Sequence, residues 1–572
     1  MAAIFNYSRL PEAHIRLVRI KSTEDPPTCE LYDAPFNDDL RFRAISYAWG
    51  SDKLTHRIKC NDMIMAVTES VADMFSSSAI CELCVDMPIW VDAVCINQRD
   101  DPEKAVQVRM MGSLYSQAEE VIVWLGMASD DSDRAMRQLS AWSTNETFLA
   151  ANSYSELEAS PQGRIKAGIE PLYDSIYDAI AALYCRSWFT RLWVFQEIVM
   201  AQRCRLFCGS AEITLEQLVT VVQMGFTKQA SSKEPRALAP WKHKGDTLTL
   251  TELMKFADEK GVTNPHDRVY GFIGLASPEA RKRISIDYSD KSPTGWSKTY
   301  IQCAKACIQE VSSLSILFLL SGRPKGLPLP SWCPNFNANQ RRQLVISPRS
   351  NAGILKSVQL EDGLPKAWVE EEKDILFAPG CQIDHVEEIV DSTYTLGEGS
   401  DPEGLIAHNI SWERQCQSLS QRTLGTGIEK DIIYIQTLIE NNPIPGKENT
   451  DLIRLSDHNK YFRSEGFYNA ECKASVGETE AANYFSIVLG NACEDRIFFS
   501  TKGGRIGVGP PETQPGDLIC ILYGAGPLYV LRRGSDAKKP LQILGDAFVH
   551  GLMDLDDMYE QVRSNDEVFE IG

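Results

Sequence analysis

The sequence predicts an α/β protein: an open parallel sheet in the N-terminal part, then a helical region, then a small β-rich C-terminal region. Three observations carry this reading. Through residue 126, short β-branched and aromatic runs alternate with segments of helical period, and such alternation builds a parallel sheet with helices on both faces. Residues 226–345 are mainly helical in pattern. Residues 481–572 break into short β-prone pieces divided by Gly and Pro, the pattern of a small antiparallel sheet or barrel.

Taken in order, "FRAISYAW" (42–49) reads as a buried strand ending near Gly50, and "PIWVDAVCI" (88–96) and "EEVIVWLG" (119–126) read as two more. Between them, 67–80 carries apolar residues at helical spacing. The stretch 102–118 reads as a helix opened by Pro102, with Val106, Met110, Leu114 and Ala118 on one stripe. A polar segment with poor periodicity, about 127–175, is read as an insertion. A single helix over roughly 175–202 and a strand at 203–209 resume the pattern, so residues 1–225 form one α/β domain. "NPHDRVYGFIGLA" (264–276) is a turn followed by a buried helix within the helical region 226–345. Residues 346–480 read as variable and loop-rich, and 481–572 as the β-rich end.

Composition narrows the function classes. A chain of 572 residues with 43% hydrophobic residues holds roughly two to four ordinary globular domains. Its formal charge of −20 repels phosphate backbones and anionic lipid headgroups, so no nucleic-acid partner is expected. The N-terminus lacks an apolar secretory run, and the longest apolar run, Ile316 to Leu320, is far too short to span a bilayer. A cytoplasmic protein with sixteen reduced cysteines is the expectation. The close pairs Cys81/Cys84 and Cys204/Cys208 lack a second pair to complete four zinc ligands, so no metal site is assigned.

Two catalytic patterns fail on context. "GGRIGVG" (503–509) imitates a dinucleotide-binding loop but runs into Pro510-Pro511 instead of opening a helix, so it reads as a hairpin. Cysteines and histidines are numerous enough to pair by chance, and no G-x-S-x-G elbow is present. What stands out is "LWVFQEIVM" (192–200), which sets one carboxylate, Glu197, in an apolar run. On a helix Trp193, Glu197 and Met200 share a face. From residue types, Glu197 is either a structural glutamate, paired with Arg191 or capping a loop, or a functional one.

"RAISYAWGS" (43–51), "IWVDAVCINQRDDPEKAVQVRMMGSLYSQAEEVIVWLG" (89–126) and "WFTRLWVFQEIVMA" (188–201) resemble, in order, the three signature blocks of the fungal heterokaryon incompatibility (HET) domain. "NPHDRVYGFIGLA", "IDYSDKS", "LPSWCPNF", "GRIGVGPPETQPGD" and "LGDAFVHGLMD" resemble segments that follow that domain in many fungal members. The resemblance implies a role in nonself recognition and programmed cell death, with an incompatibility partner protein and self-association. The HET domain is in turn distantly similar to TIR domains, which implies a flavodoxin-like sheet and hydrolysis of NAD by a helix-borne glutamate. On that comparison Glu197 is the catalytic carboxylate. Tyr47, Trp49 and Trp193 offer aromatic surfaces to NAD, and Asp92, Asn97 and Gln98 line the sheet edge, as substrate-binding or as loop-ordering residues. No cofactor is called for, since NAD is the candidate substrate. The alternative is a non-catalytic signalling and self-association module that triggers death through partners.

Overall fold

The computed structural model describes residues 3–150, 161–168, 175–223, 245, 248–256, 261–320, 326–337, 366–395, 402–440, 485, 487–534, 536, 538–553 and 566–572. The chain divides into two compact units, 1–299 and 300–572, so the stretch read as helical, 226–345, is shared between them. Much of the segment read as loop-rich, notably 346–365 and 441–480, lies outside the described residues, as do 151–160 and 169–174 of the predicted insertion.

The first unit is built on a nine-stranded mixed sheet: β1 (His14–Ser22), β2 (Thr28–Pro35), β3 (Arg43–Tyr47), β4 (His56–Cys60), β5 (Met63–Val67), β6 (Ile89–Trp90), β7 (Val121–Trp124), β8 (Cys204–Cys208) and β9 (Ala211–Thr214). Their spatial order is β5-β4-β2-β1-β6-β3-β7-β8-β9. Within it, β6, β3, β7 and β8 pair in parallel. Numbered among themselves they run 2-1-3-4, the flavodoxin-like order, whose direction of winding reverses between β3 and β7. The central strands are buried throughout, as a sheet covered on both faces requires. The antiparallel hairpin β1–β2 beside β6 was not anticipated, because the charged Arg16, Arg19 and Lys21 interrupt its apolar alternation.

Several expectations are corrected. Of the strand expected at 88–96, only Ile89–Trp90 is extended, and a one-turn helix, α3 (Asp92–Cys95), follows at once. The helix expected at 67–80 is two, α1 (Glu69–Phe75) and α2 (Ser78–Leu83), parted where the Ser77 side chain caps the second. Helix α4 (Asp101–Gln117) forms as expected, with the Asp100 side chain accepting from the Glu103 N–H at 3.0 Å. Its buried stripe, however, is Gln107, Val108, Met111, Gly112, Leu114 and Tyr115, and Val106 is 55% exposed. The polar and small members of that stripe hid it: Gln107 Nε2 donates to the His14 carbonyl, and Gly112 abuts Gly274.

The single helix expected over 175–202 is broken into three. A helix (Ser175–Tyr184) and a 3-10 turn (Ser187–Thr190) precede Arg191, which is extended, and the last piece is Val194–Met200. The predicted insertion contributes a core helix, α5 (Ser132–Ser143), which buries Ala135, Met136, Leu139 and Trp142 and packs on β8 and β9. We label the later helices α6 (Ser175–Tyr184), α7 (Val194–Met200), α8 (Leu215–Gln223) and α9 (Asp267–Ile273). Helix α9 packs on α7 and α4. A Cβ on Gly274 would lie 2.6 Å from Gln196 Oε1 and 2.9 Å from the Gly112 Cα, so two glycines set the approach of the three helices.

The second unit is an antiparallel barrel. Its strands are β10 (Trp368–Glu370), β11 (Ile375–Ile389), β12 (Ile497–Thr501), β13 (Ile506–Gly509), β14 (Leu518–Leu522), β15 (Leu528–Arg532), β16 (Gln542–Val549) and β17 (Asp566–Ile571). Pairing runs β11-β12-β13-β16-β15-β14 and closes back from β14 to β11, removing the open edges that a small sheet would expose. Helices α10 (Pro402–Leu424) and α11 (Ile428–Leu438) pack against β12 and β13. Alternation sorts the side chains: Phe498 and Val508 face the helices with Trp412 and Tyr434, whereas Phe499 joins the other core with Val530 and Val549. Gly507 and Gly509 stand where a Cβ would come within 2.7 Å and 3.0 Å of the Phe499 ring. The glycine-rich run is thus a β12–β13 hairpin that accommodates an aromatic ring.

Candidate functional site

The candidate site lies at the carboxyl edge of the parallel strands, where the order reverses. Open α/β sheets bind ligands there because the loops diverge and leave a crevice. Strand β3 ends in Ser46 and Tyr47, and its loop carries Trp49 and turns at Gly50, whose φ of +66° suits glycine. The Ser70 hydroxyl of α1 donates to the Trp49 carbonyl at 3.1 Å and anchors that loop. After β6 comes Asp92, whose Oδ1 accepts from the Ala93 N–H at 2.7 Å and whose Oδ2 accepts from the Trp49 indole N–H at 2.9 Å.

Glu197 is buried, 2% exposed. Its Oε2 accepts from the Ser46 hydroxyl, which itself accepts from the Trp188 indole N–H at 2.8 Å. The single Ser46 proton is therefore committed to the carboxylate. Burial pushes the Glu197 carboxyl up to about 7, against the lowering effects of the Arg191 charge and the Ser46 hydrogen bond, while the nearby charge of Asp92 raises it further. Among the described residues Arg191 forms no ion pair with Glu197. Its guanidinium donates to the Tyr47 carbonyl and acts at longer range on both Glu197 and Asp92.

The break before α7 makes this geometry. A continuous helix would turn Arg191 with the helical barrel, whereas the extended residue, φ −76° and ψ 142°, lets its side chain reach back to β3. Trp193 takes helical angles as the residue before α7, so Trp193 and Glu197 keep their one-turn spacing. Helix α7 leads into β8 and therefore starts at the carboxyl edge, which puts Arg191 and Trp193 at the mouth and Glu197 one turn deeper.

Asp92 is closely surrounded by protein, yet part of its surface meets solvent, as at the floor of a crevice. Burial raises its carboxyl and Arg191 opposes that. Tyr47 lies fully buried beside Asp92 and Glu197. Its hydroxyl completes no hydrogen bond of ordinary geometry with the protein, and burial drives its pKa well above the usual phenol value. The hydroxyl nevertheless approaches the Asp92 carboxylate closely enough to help hold it ionised.

Of the residues expected at the site, Tyr47, Trp49, Asp92 and Glu197 gather around Arg191, and Trp193 stands at the mouth. The side chains of Asn97 and Gln98 bind the loop itself. Asn97 Oδ1 accepts from the Arg99 N–H at 3.2 Å, and Gln98 Nε2 donates to the Asp92 carbonyl at 3.0 Å. The loop is fixed from below by Glu103, which accepts from the Asn97 N–H at 2.8 Å and pairs with buried Arg16 at 2.6 Å. Sequence reasoning missed Ser46, Trp188 and the reach of Arg191 to Tyr47. A serine between Ile45 and Tyr47 in a buried strand was the one signal, since a hydroxyl there must find a partner.

Comparison with known families agrees with this architecture. Residues 42–197 match the heterokaryon incompatibility protein (HET) family and residues 460–567 match the Het-6 beta-barrel domain. The HET match ends on Glu197. Two segments of the chain are thus similar, in order, to the HET family and to the Het-6 barrel. It is similar to heterokaryon incompatibility protein 6, OR allele, of Neurospora crassa, with 27% identity over an alignment of 675 positions that covers 96% of each chain. No solved structure matches it.

Proposed function

We propose that the chain acts in nonself recognition by hydrolysing NAD at the nicotinamide–ribose bond, and that depletion of the dinucleotide drives programmed cell death. The observation that carries this reading is Glu197: a buried carboxylate, titrating near neutrality, at the topological switch point beneath Trp49 and Arg191. Cleavage of the bond from ribose C1′ to nitrogen sends the electron pair to the ring and releases neutral nicotinamide, so the leaving group needs no acid. Positive charge develops on the sugar, and one ionised carboxylate in a poorly hydrated site stabilises it. Water then adds to C1′ and gives up its proton. Arg191 supplies a positive charge beside the carboxylates and Trp49 a ring face.

Wild type and Glu197→Gln are to be compared by nicotinamide release from NAD, both in dilute solution and in crowded or cross-linked form. Loss of at least about a hundredfold in the variant is expected. Activity should rise with pH through about 7 as Glu197 ionises. If the assembled wild type releases no nicotinamide, or if Glu197→Gln still kills fused cells equally well, the non-catalytic signalling and self-association module takes the place of this reading.

A further inference from the structure

A second tryptophan of the candidate site, Trp193, also neighbours an aspartate. Asp267 opens α9, outside the matched segment 42–197, and is closely surrounded by protein while part of its surface meets solvent. Its Oδ1 accepts from the Tyr288 hydroxyl at 2.8 Å. The Lys104 ammonium sits 4.5 Å from the Tyr288 ring centroid, and Lys104 lies in the first turn of α4, at the carboxyl edge of the sheet. One turn along α9, a Cβ on Gly271 would lie 3.0 Å from Leu192 Cδ2 and 3.8 Å from Trp193 Cδ2, so the Trp193 indole lies against α9. Lys104, Tyr288 and the Trp193 indole N–H all stabilise the ionised Asp267 carboxylate against burial. Trp193 thus neighbours Asp267 along α9, as Trp49 neighbours Asp92, to which its indole N–H bonds at 2.9 Å.

We propose that Asp267, braced by Tyr288 and Lys104, is a positioning residue that fixes Trp193, so that two aspartate-steered indoles, Trp49 and Trp193, receive a flat, positively charged heteroaromatic ring above Glu197. A cationic ring is the class favoured because indole faces attract cations and the two aspartates add negative potential behind them. The recognition surface then extends past residue 197 to the segment 264–288. The proposal deepens the hydrolase reading and rests on it for the identity of the ring, the nicotinamide of NAD.

The test compares wild type, Asp267→Ala, Asp267→Asn, Tyr288→Phe, Trp193→Phe and the double variant Trp193→Phe/Asp267→Ala. In NAD cleavage, Asp267→Ala is expected to raise KM about tenfold with little change in kcat, and Asn, which keeps an acceptor oxygen, to restore most of it. In the Trp193→Phe background the same alanine change should add almost nothing. Full additivity, or an unchanged KM in both Asp267→Ala and Tyr288→Phe, overturns the proposal. The second readout needs no turnover: subtracting the Trp193→Phe emission isolates Trp193, and N-methylnicotinamide, a pyridinium cation, serves as quencher. Saturable quenching is expected in wild type, weakened about tenfold by Asp267→Ala and recovered by Asn. If wild type cleaves no NAD yet this pattern holds, the hydrolase reading falls and the positioning role stands; quenching indifferent to Asp267 sinks the positioning role itself. Should Asp267→Ala fail to fold by circular dichroism, Asp267→Asn and Tyr288→Phe decide the matter, with an indole signal insensitive to Tyr288→Phe as the overturning result.

Discussion

The barrel and the mixed sheet both bury charge but dispose of it differently. In the barrel, Arg496 pairs with Asp546 at 3.0 Å and Glu440 at 3.3 Å, Asp517 with Arg532 at 2.8 Å, and Asp384 with Arg505 at 3.4 Å. Each acid there meets a cation directly, the arrangement that secures a fold. The mixed sheet uses the same device away from its crevice, in Arg16 and Glu103. At the carboxyl edge it does not: Glu197 and Asp92 share Arg191 only at a distance, and both are pushed toward protonation. Strain of this kind at the crevice, set against the paired acids of the barrel, marks charge retained for use.

The strongest way to break the comparison is to unpair the barrel. Arg496→Ala removes the buried cation that pairs with Asp546 and Glu440 and should cost about 3–5 kcal/mol of unfolding free energy, read by denaturant titration. A loss below about 1 kcal/mol would place the barrel pairs with ordinary surface ones.

Glu197→Gln should act in the opposite direction. Because burial holds the folded-state pKa of Glu197 at about 7, above the ordinary carboxylate value of 4.5, its contribution to stability is whole below pH 4.5 and is lost as pH rises to about 7. Above that range the ionised carboxylate costs the fold on the order of 3 kcal/mol. The variant is expected to match wild type in thermal stability near pH 4.5 and to exceed it at pH 8. A variant less stable than wild type at pH 8 would show Glu197 to be a structural anchor.

Gly274→Ala tests the helix α9 against which the second indole lies. The added methyl meets Gln196 Oε1 and the Gly112 backbone, and the Gly274 N–H that donates to Gln196 at 3.0 Å would be displaced. Overpacking here should cost about 1–3 kcal/mol and raise KM for NAD more than it changes kcat. Equal effects on both would mean that α9 supports the fold and not the mouth.

How much of this was legible in the sequence follows from where the information sits. The parallel strands announced themselves because β-branched residues fill β7 and a short buried run, Ala44 to Tyr47, marks β3. Glu197 stood out as a charge in an apolar run. The hairpin β1–β2 escaped notice because its charged residues pair elsewhere in space: Arg16 reaches Glu103, 87 positions away. The break before α7 was invisible because residues 185–193 contain neither Gly nor Pro; tertiary bonds impose it, Arg191 bridging to Gly261 and to Tyr47. Asp267 sat in a motif that was read as a buried helix, and only packing of α9 on α7 reveals what it faces.

The smallest expected effect separates two meanings of a loop. Asn97 and Gln98 were expected either to touch substrate or to order the turn, and their side chains are engaged with the backbone at Arg99 and Asp92. Each hydrogen bond is worth about 1 kcal/mol or less in so exposed a setting, so Asn97→Ala and Gln98→Ala should each lower stability by no more than that. Gln98 holds the carbonyl of Asp92, which in turn holds the Trp49 indole, so its loss acts on the mouth only through one intermediary. A KM increase of about twofold for Gln98→Ala, with none for Asn97→Ala, is the expected pattern. Tenfold increases in both would put these side chains on the substrate, and the crevice would then be wider than the two indoles define it.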